Sequence, residues 1–240
     1  MKVGIKVYSN NERIDYAMRA SEFMDFIEVM AVPDTDFSAF KKVSKPIVIH
    51  APHMSFSCNP ADKSLVEHNV RCIKDAVNAA DILGSDRIVL HPGHILSGDC
   101  SAMQAIKVIS DNFDRRMLLE NLPQARGETD TIFRSPSEIK SLLDATGCGL
   151  CLDFGHACAS AAQMGVPYKP FLEQISDLKP GHFHICGGWI KNLMDSHISL
   201  FDGDYPLDYF KNLMPRGAWV TMETPQDLET QKKEYRLMKI

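Results

Sequence analysis

No apolar run among the 240 residues approaches the roughly 20 that a membrane-spanning helix needs, so a membrane protein is not expected. The opening stretch, Met1-Lys2-Val3-Gly4-Ile5, enters a strand-like pattern at once and lacks the layout of a secretory signal, which makes a cytoplasmic location the expectation. Low-complexity tracts are missing too. With 45% hydrophobic and 24% charged residues, the chain has the composition of one globular domain, residues 1–240. A formal net charge of −5 argues against a broad basic face for nucleic acid but leaves room for a local patch. The seven cysteines are odd in number and scattered through apolar segments, so no disulfide framework is expected. Cys148-x-x-Cys151 has redox or zinc spacing, but no second such pair accompanies it, and buried thiols in a strand are the simpler reading.

What is present alternates between strand and helix patterns to the end of the chain. Strand patterns at 3–8, 26–32, 47–50, 87–91, 117–120, 149–153, 182–186 and 219–223 are separated by helical ones at 13–23, 37–43, 65–83, 102–113, 135–145, 170–178 and 207–213, with a last helix from 226 onward. In 65–83, Val66, Val70, Ile73, Val77 and Ala80 form one apolar stripe, with Gly84 just past its end. Ser135-Pro136-Ser137-Glu138 has the form of a helix cap and first turn. Strands that are nearly continuous apolar runs belong to a parallel sheet covered on both faces, and eight such units close into a (β/α)8 TIM barrel. A doubly wound open sheet is the alternative, weakened because no glycine-rich phosphate loop follows the first strand.

The strand ends carry the chemistry. Six successive strands finish in His50, His91, Glu120, Asp153, the His182-Phe183-His184 pair and Glu223, and the loops add His156 and Asp195-Ser196-His197. In a barrel these tips share the C-terminal face, so residues distant in sequence converge on one pocket. Burying Glu120, Asp153 and Glu223 together without positive charge would be costly or would force protonation, and divalent metal resolves that conflict. Imidazoles and carboxylates without a well-placed thiolate suit Zn, Mn or Fe. His182 shares a strand face with His184 and reads as its hydrogen-bonding partner. Trp189 and Trp219 read as packing groups.

His91-Pro92-Gly93, Glu120-Asn121, Asp153-Phe154-Gly155-His156, His184, Asp195-Ser196-His197 and Glu223-Thr224-Pro225, in this order, resemble the endonuclease IV family (AP endonuclease family 2) within the xylose-isomerase-like TIM barrels. The resemblance covers about residues 50–225. It implies up to three Zn2+ ions: one held by His50 and His91 with Glu120 bridging to a second, the second completed by Asp153, His184 and Glu223, and a third held by His156, Asp195 and His197. It also implies hydrolysis of the phosphodiester 5′ to an abasic site in DNA, with Glu120 or Glu223 as the catalytic group orienting the nucleophile. The barrel-top loops look short for gripping DNA. His53 stands where the family often has an aromatic residue, and Met54 and Phe56 read either as base wedges or as packing. His53, His94, Arg126 and Lys191 are candidate substrate contacts, as is Arg134. The rival reading is a sugar isomerase or epimerase acting on a small sugar or sugar phosphate. It would need one ion, Mn2+ being possible, on Glu120, Asp153, His184 and Glu223, with the glutamates as acid and base.

Overall fold

A computed structural model describes residues 1–10, 13–96 and 98–240. Strands β1 (Lys2–Tyr8), β2 (Phe26–Met30), β3 (Ile47–His50), β4 (Ile88–Leu90), β5 (Met117–Glu120), β6 (Gly149–Asp153), β7 (His182–Ile185) and β8 (Trp219–Met222) pair in chain order. Every neighbouring pair is parallel, and β8 returns to β1, closing the expected barrel. Around it lie α1 (Ile14–Ser21), α2 (Val66–Leu83), α3 (Ala102–Asp111), α4 (Pro136–Thr146), α5 (Phe154–Met164), α6 (Tyr168–Ser176), α7 (Leu207–Leu213) and α8 (Leu228–Lys239). The helix expected at 37–43 is a 3-10 turn, Phe37–Lys42. The Ser135–Glu138 motif closes as a reciprocal capping box, and Gly84 ends α2 in the left-handed conformation.

Helix α5 has no counterpart in the sequence reading, which placed His156 on a loop. All eight residues from Phe154 to Ala161 are buried, so no apolar stripe alternates with a polar one. The Asp153 side chain starts the helix by accepting from the His156 backbone N–H at 2.7 Å, and that places His156 one turn above it.

Side-chain alternation fills the barrel interior in two levels. Phe26, Val48, Val89 and Cys151, with Leu118 and Trp219, plug the N-terminal end. Gly4 belongs to this level because a Cβ there would lie 2.5 Å from the Phe26 ring. Two residues further along each strand the interior turns polar, with Lys6 opposite Glu28, Asp153 opposite His184, and His184 opposite Thr221. The remaining apolar core lies between strands and helices. Among the described residues no helix is long and apolar enough to cross a membrane.

No disulfide framework forms, but Cys58 and Cys72 are joined in a disulfide that ties the loop after β3 to α2, a pairing hidden from spacing because it depends on that loop folding back. Cys148 and Cys151 are buried thiols, as read, pushed by burial up to about 11 and about 12. Closing a loop of this length restricts the unfolded chain by about 3 kcal/mol, so the Cys58→Ser/Cys72→Ser variant should unfold at correspondingly lower urea than the oxidised protein. Equal midpoints with and without a thiol reductant would show that the link contributes no stability.

Candidate metal centre

Glu120, at the tip of β5, lies at the middle of the polar level and is 1% exposed. Its Oε2 lies 3.2 Å from His50 Nε2 and 3.1 Å from His91 Nε2, and its Oε1 lies 3.1 Å from His156 Nδ1 and 3.3 Å from His184 Nδ1. Burial alone would raise the Glu120 carboxyl, but the imidazoles of His184 and His91 outweigh it and hold the group well below the ordinary carboxylate range. Asp153 shows the opposite balance. Burial raises it, and the charges of Glu120 and Glu223 add to that against the pull of His156.

Three histidines have one ring nitrogen bonded to a fixed acceptor, which for His156 Nδ1 lies beside Glu120 as well, and the other aimed at carboxylates. His50 Nδ1 donates to the Ala51 carbonyl at 2.8 Å, His156 Nδ1 to the Asn121 carbonyl at 2.9 Å, and His184 Nε2 to Glu28 Oε2 at 3.1 Å. In the neutral rings the second nitrogen then carries a lone pair. That lone pair faces Glu120 from His50, Asp195 Oδ2 at 3.5 Å from His156, and Glu223 Oε1 at 2.8 Å from His184. Lone pair against carboxylate is repulsive unless a proton or a cation lies between, which is how an outer hydrogen bond prepares a histidine to ligate metal. Asp153 Oδ2 is buried without a hydrogen-bond partner, which also fits a cation.

The donor atoms fall into groups that each lie within 4.8 Å of one another. His50, His91 and Glu120 form one; Glu120, Asp153, His184 and Glu223 form a second; His156, Asp195 and His197 form a third; Glu28 with His50, His184 and Glu223 makes a fourth that overlaps the first two. The all-nitrogen and oxygen donor set suits a borderline divalent ion such as zinc or manganese. Asn121 holds the middle together, donating from Nδ2 to the Asp153 carbonyl at 3.0 Å and accepting the Asp153 N–H at 2.8 Å. Asp195 and His197 come from the long loop after β7, where His197 has a left-handed backbone (φ 44°) and its Nε2 contacts Asp195.

A sequence model of the family described as xylose isomerase-like TIM barrel matches residues 38–239. The chain belongs to that family. An uncharacterised protein of Methanocaldococcus jannaschii is 27% identical over 169 residues, 66% of this chain and 56% of that protein. The match thus spans little more than half of that relative's length. A probable endonuclease 4 of Aquifex aeolicus is 24% identical over 209 residues, 80% of this chain and 73% of that one. Among solved structures, a D-tagatose 3-epimerase-like protein superposes with a TM-score of 0.75 at 20% identity, covering 100% of this chain and 96% of the other. Endonuclease IV from Thermus thermophilus gives 0.74 at 16% identity, covering 100% and 98%. At these identities the superpositions show the shared fold.

All nine residues expected as ligands in this xylose isomerase-like barrel lie in the one cluster. The expected substrate contacts divide. The His53 ring stacks on that of His91, centroids 4.8 Å apart, at the rim of the cluster. His94 instead lies 3.1 Å from Glu128 Oε2, which also accepts from the Ala125 N–H, and so ties two loops together. Arg126 and Lys191 are exposed on loops and line no part of the cleft beside Glu223, and Arg134 donates to Gln124. Trp219 packs on Phe26 as expected, but Trp189 is half-exposed on the loop after β7 together with Leu193, Met194 and Phe201.

Two buried charges escaped the sequence reading. Lys6 Nζ lies 2.5 Å from Glu223 Oε1 and supplies positive charge that was not foreseen beside the carboxylates. Burial opposes its protonation, but Glu223, Glu120 and Glu28 overcome that and keep it charged. Glu28, fully buried on β2, accepts at Oε2 from His182, His184 and Thr221. His182 and His184 thus share one acceptor rather than bonding to each other. A charged residue between apolar neighbours in mid-strand was the available signal for both Lys6 and Glu28.

Proposed function

We propose that this chain is a metal-dependent phosphodiesterase of the endonuclease IV type, holding up to three divalent ions and cleaving DNA 5′ to an abasic site. The observation that carries the reading is that each of the first three donor groups contains one histidine whose other nitrogen is already engaged, with Glu120 shared between two groups. A mononuclear site has no use for His50 with His91, nor for His156 with Asp195 and His197. When bound, such ions lower the pKa of a water and neutralise phosphate oxygens. Glu120 and Glu223 would orient that water by accepting its hydrogen bonds. Met54, Trp189, Met194 and Phe201, all exposed on loops at the C-terminal face, fit contact with stacked bases better than enclosure of a small sugar.

The sugar isomerase or epimerase reading keeps one specific support, that Glu120, Asp153, His184 and Glu223 form a complete buried group by themselves. Elemental analysis of protein purified without chelator separates the two. Two to three equivalents of zinc, with cleavage of an abasic-site duplex, are the expected result. One equivalent, no cleavage and turnover of a ketose would favour the rival. His91→Ala and Asp195→Ala should each lower both metal content and cleavage; two fully active variants would sink the three-ion proposal.

A further inference from the structure

A cleft of about 340 Å³ opens beside the cluster between the ends of β1 and β8, lined by Lys6, Tyr8, Arg13, His197, Glu223 and Gln226 among others. It reaches the cluster at the two candidate ligands, His197 and Glu223, and its lining carries two permanent cations, Lys6 beside Glu223 and Arg13. Alternation with Ile5 and Val7 turns Lys6 into the barrel, where its side chain is 15% exposed and still open to the cleft. Arg13, at the start of α1, is exposed and makes no side-chain hydrogen bond or ion pair among the described residues.

A point-like ammonium beside the reacting groups and a guanidinium fork at the mouth form a pair suited to an oxyanion with several equivalent oxygens. A neutral sugar would find little use for either.

Resting on the phosphodiesterase reading, we propose that this cleft is the phosphoryl subsite, in which Lys6 and Arg13 bind the phosphate oxygens of the substrate while His197 and Glu223 face the bond to be broken. The phosphoryl group could belong to an internal diester or to a terminal monoester.

The test is calorimetric titration of the metal-loaded protein with inorganic phosphate. Lys6→Met and Arg13→Gln should each weaken phosphate by about 10–100-fold, the worth of a charge-assisted hydrogen bond, with zinc equivalents unchanged. Unchanged affinity in Arg13→Gln, which touches no candidate ligand, would overturn the proposal, even if Lys6→Met lost metal through Glu223. Competition with bis(4-nitrophenyl) phosphate and with glucose 6-phosphate then distinguishes the sources. Tighter diester binding with a raised KM in both variants places an internal phosphate in the cleft. Tight monoester binding without diester hydrolysis would keep the subsite while refuting the phosphodiesterase reading.

Discussion

Glu120→Ala is expected to lower kcat/KM by about 10³-fold or more, roughly 4 kcal/mol of transition-state stabilisation, and to leave the purified protein short of at least two metal equivalents. The size of the effect follows from position. Glu120 meets four imidazoles at 3.1–3.3 Å, two on each carboxylate oxygen, and belongs to two of the first three donor groups. Removing one carboxylate therefore dismantles two groups, where removing His91 or Asp195 dismantles one. Glu120→Gln separates charge from shape. It fills the same volume, but its amide nitrogen must face two of the imidazoles as a donor, so metal should be lost while the circular dichroism spectrum stays native. A Glu120→Gln protein with full metal content and wild-type rates would show that Glu120 is a bystander, and the shared-carboxylate argument would fail with it.

Six of the nine clustered residues were legible because a closed parallel barrel turns strand order into spatial neighbourhood, every β-strand tip reaching the same face whatever its distance along the chain; His156, Asp195 and His197, off the strands, were legible only through the resemblance to the endonuclease IV family. No such rule governs the neighbourhood of Cys58 and Cys72, since their meeting depends on the path of one loop. Helix α5 stayed invisible for a related reason, burial on every side erasing the 3.6-residue period that betrays an amphipathic helix. Lys6 and Glu28 were legible in principle. Both stand in mid-strand between apolar residues, and once the strands are known to line a barrel, alternation points both inward. Attention to strand ends passed over them. His94 is the converse case: its place after a strand tip suggested substrate contact, whereas Glu128, from the following βα loop, engages its ring.

Glu28→Ala should weaken zinc binding by about 10–100-fold, although Glu28 lies a full imidazole away from the lone pair that His184 presents. Its Oε2 accepts from His182 Nε2 at 3.1 Å, His184 Nε2 at 3.1 Å and Thr221 Oγ1 at 2.6 Å, all three donors being fully buried. That arrangement fixes the His184 proton on Nε2 and turns Nδ1 toward Glu120, Asp153 and Glu223. Alanine leaves His184 Nε2 and Thr221 Oγ1 without their acceptor in a dry interior, His182 keeping only Thr221 Oγ1 at 2.9 Å, and losing one partner of such a buried network costs about 3–5 kcal/mol of stability as well. The two losses have to be told apart. Glu28→Gln keeps an acceptor oxygen and the shape but not the charge, so it should fold and still bind zinc less tightly in competition with a chromophoric chelator. Thr221→Val removes one donor and leaves the His184 bond intact, so its zinc affinity should stay within about threefold of wild type, less than the loss of one net hydrogen bond. If Glu28→Gln folds and binds zinc like the wild type, His184 is oriented by packing alone, and Glu28 has no part in preparing the site.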